Sequence, residues 1–282
     1  MYIWIRSFAR YLFRLFGHGL IRYDKLQSLI NNQTQLVSFQ NKLQFYLRCH
    51  SLHRKFRVSL NVSQLKDFSR SEYGQDIFAL LANDFAENKT FVEVGAFDGQ
   101  TFSNTFLLEK VYGWRGVLVE PVPRNYSEIG KTRSARAIFG AVVPNRVDTI
   151  KILENPAPNL SLIIAGNGPF RFRGKIHTVP AFTLETILDL AAPNGMIDFL
   201  SIDIEGEEFA ILESFNFTKY EIKAICVEHN HSSERTRLKE LLAMNGYLAV
   251  FEEYSMNDYW FIRETQLEKS KALRKLFTQQ VI

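Results

Sequence analysis

Glu93, Asp98, Glu120, Asp203, Glu205 and His229 are the residues of this chain whose types and spacing suit chemistry. The first two flank a tight turn in Phe91-Val-Glu-Val-Gly-Ala-Phe-Asp-Gly99, where a short strand runs into Gly95, Ala96, Asp98 and Gly99. A second apolar run, Gly116-Val-Leu-Val-Glu120, ends in an acid and is followed by Pro121. Strand, glycine turn and a second strand closing on an acid make a nucleotide cradle. Glycine lets backbone approach the ligand, and the terminal carboxylate accepts ribose hydroxyls. A dinucleotide site wants G-x-G-x-x-G, with helix N–H groups aimed at a pyrophosphate. The spacing here is Glu93-x-Gly95-x-x-Asp98-Gly99, and two acids facing the loop would repel a pyrophosphate. They suit a ligand bearing an amino group and a sulfonium, which describes S-adenosylmethionine.

Each position carries a specific expectation. Glu93 is read as receiving the ammonium of the methionine part, directly or through water, since an unpaired buried acid is expensive. Gly95 and Gly99 give backbone access. Asp98 either holds the ligand or caps the following helix. Ser103 and Asn104 either cap that helix or touch the methionine carboxylate. Glu120 is expected to take the ribose hydroxyls, with Pro121 ending further ladder pairing. Asp203-x-Glu205-Gly206 closes a later strand, and alternation points both acids to one side. There they can bind a divalent metal, raise one another's pKa, or divide work between cofactor and acceptor. A helix start decorated with acids is the plainer reading, and Glu207 and Glu208 fit it well. Glu228-His229-Asn230 ends the next strand, and His229 is expected as general base. Asp203 is expected at the methyl-transfer point with Glu205 beside it. His231 is expected at the surface, and Asn257 and Asp258 form either an opposing wall or a hairpin turn.

The elements that must position these groups alternate along the chain. Strands are expected at Thr90–Val94, Gly116–Val119, Ala137–Val142, Ile197–Ile202, Ile222–Val227, Tyr247–Phe251 and Asp258–Ile262. Helices fit Asn104–Lys110, Asn125–Lys131, Leu184–Leu190, Phe209–Glu213 and Glu234–Asn245, the last ending at Gly246. The expected architecture is α/β: a seven-stranded, doubly wound, Rossmann-like sheet of class I methyltransferase type, with an N-terminal helical extension. The methyltransferase-like domain spans residues 70–263, followed by a basic C-terminal helix over 264–282 that packs back onto it. Residues 144–180, rich in Pro, Gly and Asn, read as a substrate loop in which Arg171 and Arg173 bracket Phe172.

The net charge of +4 is too mild to argue for nucleic acid. Two cysteines, Cys49 and Cys226, give neither metal spacing nor a disulfide framework, so a reducing, cytoplasmic setting is expected. Residues 1–23 form a basic, aromatic amphipathic helix in which Arg6, Arg10, Arg14, His18 and Arg22 recur four apart. It either lies on an inner membrane face or packs on the domain. Residues 24–69 hold a heptad seam from Leu26 to Leu47 and a linker, so that homodimer formation through 26–47 and intramolecular packing both stay open.

Taken in order, Tyr73-Gly-Gln-Asp76, Phe91 to Gly99 and Ser103-Asn-Thr105 resemble the FkbM family of S-adenosylmethionine-dependent methyltransferases. Gly113-Trp-Arg-Gly-Val-Leu-Val-Glu-Pro121, Ile197-Asp-Phe-Leu-Ser-Ile-Asp-Ile-Glu-Gly206 and Val227-Glu-His-Asn230 continue the series. The resemblance covers roughly residues 70 to 262 and leaves residues 1 to 60 outside. It implies O-methylation of a hydroxyl on a sugar, glycan or natural product, and it makes Gln75 a residue of a loop folding over the cofactor. An Arg171–Arg173 loop would suit an acidic acceptor, or is simply solvated. One rival is a nucleotide-sugar oxidoreductase or epimerase, which predicts a third glycine and a Tyr-x-x-x-Lys pair that the sequence lacks. The other is a catalytically silent membrane-surface scaffold, which predicts damaged rim positions.

Overall fold

The computed structural model describes residues 67–154, 161–163, 174–230 and 232–278. The chain divides into two units, Met1–Asn41 and Lys42–Ile282, and every described residue belongs to the second. The expected helices over 1–23 and 26–47, the Arg171–Arg173 loop and His231 lie outside the described residues. Among the described residues no helix is long and apolar enough to cross a membrane.

Apolar alternation builds the central strands. In β1 (Thr90–Val94) Phe91 turns to one core layer, while Val92 and Val94 turn to the other. β2 (Arg115–Glu120) repeats this with Leu118 set against Val117 and Val119. After β3 (Arg136–Phe139) come four strands of a second sheet or its links: β4 (Ala141–Val142), β5 (Thr149–Glu154), β6 (Ser161–Ile163) and β7 (Lys175–Phe182). The chain then supplies β8 (Met196–Ile197), β9 (Phe199–Ile202), β10 (Glu221–Ile222), β11 (Ala224–Glu228), β12 (Tyr247–Val250) and β13 (Asp258–Arg263).

The main sheet has seven strands in the order β12-β13-β11-β9-β1-β2-β3. Its neighbours pair in parallel, except that β13 runs antiparallel to both β11 and β12. Ranked along the chain, the order reads 3-2-1-4-5-7-6 and reverses between β1 and β9. Such a reversal leaves a crevice beyond the carboxyl ends of the strands. One face of the sheet, from which Trp260 of β13 projects, is covered by the helix Gln75–Ala82, and the other by Leu184, Ile187, Phe209 and Leu238. Phe78 stacks on Trp260 with ring centroids 5.4 Å apart, a pairing worth about 0.5–1.5 kcal/mol beyond area burial.

Several expectations change here. The strands expected over Ile197–Ile202 and Ile222–Val227 each divide, and β8 and β10 pair in a separate two-stranded sheet. The single helix expected over 264–282 is two, Glu264–Lys269 and Lys271–Thr278. The strand expected over Ala137–Val142 breaks at Gly140, whose φ of +153 redirects the chain from the main sheet to β4. A Cβ at that position would lie 2.7 Å from the Pro180 carbonyl oxygen and 2.6 Å from the Phe182 ring. The stretch 144–180, expected as loop, holds β5, β6 and most of β7 in a four-stranded sheet ordered β4-β7-β5-β6. Val122, Ala141, Ile152 and Val179 form its small core. The tail packs as expected, through Ala272 and Leu273, and Asp84 accepts from Ser270 Oγ (2.9 Å) and Ala272 N (2.9 Å).

Candidate active site

The strand period collects the polar residues on one face. Glu93, Glu120, Ser201 and Glu228 each follow a residue of the first core layer (Phe91, Leu118, Phe199, Cys226) by two positions. All four therefore stand on that layer's face at the carboxyl edge of the sheet. Asp258 opens the antiparallel β13 directly opposite Glu228 and joins them at the same edge.

A crevice of about 220 Å³ opens there. Of the residues expected to serve the cofactor, Glu93, Gly95, Ala96, Ser103, Asn104, Glu120, Pro121 and Asp203 line it, and Glu205 lines it as well. Residues the sequence reading did not single out as site residues also contribute: Glu72, Phe97, Phe102 and Glu228, with Ile152 and Glu154 from the second sheet. Phe97, Phe102 and Glu205 all hold left-handed backbone (φ 49, 58 and 66), strain that surrounding structure must sustain. On the second-sheet side, Glu154 accepts at 2.7 Å from His177 Nε2 and lies 3.4 Å from Arg124 Nη2.

Three expected cofactor residues do not line the crevice, and each has a local reason. Asp98 accepts from Gln100 N, Thr101 N and Thr101 Oγ1 at 2.6–2.9 Å, so it holds its own turn. Gly99 faces inward, where an added Cβ would meet Arg133 Cγ at 3.0 Å. Gln75 is buried, with Nε2 donating to Asp258 Oδ2 (2.7 Å) and Oε1 accepting from Tyr73 N (2.9 Å).

Glu93 also differs from expectation. Its Oε2 accepts from Ser103 Oγ (2.9 Å) and Thr105 Oγ1 (2.5 Å), and its Oε1 accepts from Asn104 N (2.6 Å). Burial pushes its pKa up, against the opposing pull of Arg133 and these donors. The carboxylate thus also shapes the Ser103–Thr105 loop while lining the crevice. The neighbouring Asn104 donates from Nδ2 to Ser201 Oγ at 2.9 Å. Its Oδ1 is buried without a hydrogen-bond partner among the described residues, and such orphaned acceptors are costly unless a ligand supplies the donor.

Glu120 accepts from Phe97 N (2.9 Å), Val122 N (2.9 Å) and Asn125 Nδ2 (3.2 Å). Burial pushes its pKa up to about 7, the donors opposing. Gly95 lies so close to β9 that a Cβ would fall 1.7 Å from the Asp203 carbonyl oxygen.

Glu72, Asp203, Glu205 and Glu228 form an acidic group in the crevice lining. Burial, then repulsion from Asp203, pushes Glu205 up to about 7. Asp203 and Glu228 are hydrogen-bonded to each other. Both are raised, by desolvation first and then by the surrounding acids, so the pair tends to share a proton. Asp203, Glu208 and Glu228 each bring one oxygen within 4.8 Å of the others. Glu208 is engaged by Ile204 N (2.9 Å) and Gly206 N (3.0 Å) at the start of its own helix, which accounts for its place without an ion.

His229 falls on the other face of β11. The residue is 4 % exposed, and its ring packs edge-on against Tyr259 at 4.6 Å. It lines a smaller cleft of about 120 Å³ on the far side of Glu205 and Glu228. His229 thus stands outside the main crevice, which carboxyl groups and not the imidazole line. Asn257 serves the turn, its carbonyl accepting from His229 N (2.8 Å) and its Nδ2 donating to the Tyr73 hydroxyl (3.1 Å).

The strand order, with the crevice at its reversal, is that of the class I methyltransferase fold. A family model described as the methyltransferase FkbM domain matches residues 93–256, more than half of the chain. The chain belongs to this family, whose members use S-adenosylmethionine as methyl donor. No curated protein matches it in sequence. Among solved structures, methyltransferase FkbM from Methylobacillus flagellatus KT is 14% identical, with a TM-score of 0.40, over 84% of this chain and 60% of that one. Precorrin-6y C5,15-methyltransferase from Geobacter metallireducens GS-15 is 13% identical, with a TM-score of 0.37, over 68% and 86% of the two chains. A variant of MtNAS in complex with S-adenosylmethionine is 12% identical, with a TM-score of 0.34, over 85% and 78%.

The crevice residues fit that donor. Asn104 Oδ1 offers a buried acceptor for an ammonium. Glu120, with its pKa near neutrality, offers a carboxylate to hydroxyl donors. The acidic group in the lining suits a cationic sulfur centre.

Proposed function

We propose that this chain is an S-adenosylmethionine-dependent O-methyltransferase acting on a hydroxyl of a sugar, glycan or natural product. Asn104 and the Gly95 backbone would hold the methionine part, and Glu120 the ribose. Bound there, the cofactor supplies a methyl group activated by its sulfonium. The chain's own contribution is alignment of the attacking oxygen and removal of its proton.

One observation carries this reading. Glu205 lines the crevice with a pKa pushed up to about 7, which suits a general base working near neutral pH. It holds the hydroxyl oriented, takes its proton as the oxygen attacks, and releases it to solvent. Asp203 and Glu228, hydrogen-bonded and sharing a proton, would place negative charge beside the cationic centre.

The test is transfer of a trideuteromethyl group from labelled S-adenosylmethionine into an extract of hydroxylated glycans and natural products, read by mass spectrometry. Label on oxygen supports the proposal. Label confined to nitrogen or carbon, or none with binding of NAD in place of S-adenosylhomocysteine, overturns it.

A further inference from the structure

We propose that Arg133 is a positioning residue for the methyl-donor half of the crevice, an inference that rests on the cofactor reading above. Arg133 follows the helix Pro123–Thr132, and its side chain is fully buried. It does not line the crevice itself. Its guanidinium donates four hydrogen bonds: Nε to Glu109 Oε2 (2.7 Å), Nη1 to Gly99 O (2.8 Å) and Ser103 Oγ (3.0 Å), and Nη2 to Thr105 Oγ1 (2.8 Å). Glu93 Oε2 lies 3.8 Å from Nη1, and the Phe91 and Phe106 rings flank the cation at 5.6 and 5.7 Å.

A charge buried this deeply persists only when paired and hydrogen-bonded. Its partners sit at both ends of residues 99–105, the segment that forms one wall of the crevice. Asn104, which carries the unpartnered acceptor, lies between Ser103 and Thr105, and both of these bond Arg133. The Asn104 backbone N–H is held by Glu93, the carboxylate that faces the same guanidinium. Arg133 thus sets where the Asn104 side chain stands before any ligand arrives. A lysine cannot substitute, because one compact ammonium does not serve acceptors spread around a planar fork.

The experiment is calorimetric titration of S-adenosylhomocysteine into wild type and Arg133→Lys, with steady-state kinetics at saturating acceptor. For a folded R133K protein the expected result is a dissociation constant raised about tenfold or more. KM for the donor should rise in step while kcat stays within about twofold, a split that general loss of folded protein would not give. Glu109→Gln, which keeps an oxygen for Nε but removes the charge, should weaken binding about threefold and decides the matter if R133K does not fold. Wild-type affinity in folded R133K, or in E109Q where R133K does not fold, overturns the proposal. A wild-type protein that does not bind S-adenosylhomocysteine overturns the cofactor reading itself, and Arg133's role with it.

Discussion

Gly95 and Asp203 meet backbone to backbone: the space for a Cβ on Gly95 is filled by the Asp203 carbonyl oxygen, 1.7 Å away. That contact joins the ends of β1 and β9 at the strand-order reversal, where the crevice opens. Gly95 has a φ of +87, so an alanine there meets both conformational strain and a collision with backbone. Gly95→Ala is expected to cost about 4 kcal/mol. Gly130→Ala, in the exposed part of the helix Pro123–Thr132 with nothing near its Cβ position, should gain about 0.8–1.0 kcal/mol. Urea unfolding midpoints check both, and equal midpoints would refute the close approach.

Glu120 links cofactor affinity to pH. On the proposed reading, ribose hydroxyls donate to the ionised Glu120 carboxylate, so binding would favour the deprotonated form. Its pKa of about 7 then means that affinity for S-adenosylhomocysteine falls as pH drops below that value. Binding at pH 7 should release a proton, which calorimetry in buffers of different ionisation enthalpy detects. Glu120→Gln should weaken binding about tenfold to a hundredfold, in keeping with about 1.5–3 kcal/mol for hydrogen bonds to charged groups, and should flatten the pH dependence.

Glu205 and His229 make opposite predictions for turnover. Glu205→Gln is expected to lower kcat by about 10²- to 10⁴-fold, the usual worth of a general base, with little change in donor affinity. The wild-type rate should climb with pH and level off above about 7. His229→Ala, which removes a ring packed on Tyr259, should lower the melting temperature yet leave kcat within a few-fold. A large loss of kcat in folded His229→Ala would return the base role to the imidazole.

Glu228 is held in an environment that disfavours its charge. Its folded-state pKa lies above the unfolded value, so it weighs against folding increasingly as pH rises above 4.5. Glu228→Gln is always neutral and removes that penalty. The variant should be more stable than wild type at pH 7 by about 1 kcal/mol, or about 2–4 °C in melting temperature, with the gain shrinking toward pH 4. A gain that does not depend on pH would point to packing instead.

Much of this was legible in the sequence, and the remainder was hidden for identifiable reasons. Phe91-Val-Glu-Val and Gly116-Val-Leu-Val-Glu120 alternate cleanly between two core layers, so strands, edge and acids could all be placed from type and spacing. The same alternation applies to His229. It follows Glu228 by one position and so takes the opposite face, a signal outweighed by the chemical attraction of an imidazole. Asp98 and Gln75 are engaged away from the crevice because acids and amides satisfy themselves locally or across long sequence distances. Gln75 meets Asp258, 183 residues away. Arg133 left no local trace, since its partners lie in segments separated by the whole of β2. β5 to β7 were masked by Pro, Gly and Asn between short strands, although Ile150, Ile152 and Val179 supplied their core contacts.

The break at Gly140 builds the crevice from two stretches of chain. Because the polypeptide leaves the main sheet there and comes back only after β7, the wall carrying Ile152 and Glu154 is one continuous segment between two junctions. Glu93, Glu120 and Asp203 all lie outside that segment, on or beside β1, β2 and β9. The two walls are therefore separable in sequence: an exchange made between Gly140 and Thr183 would rewrite one and leave every residue of the other in place.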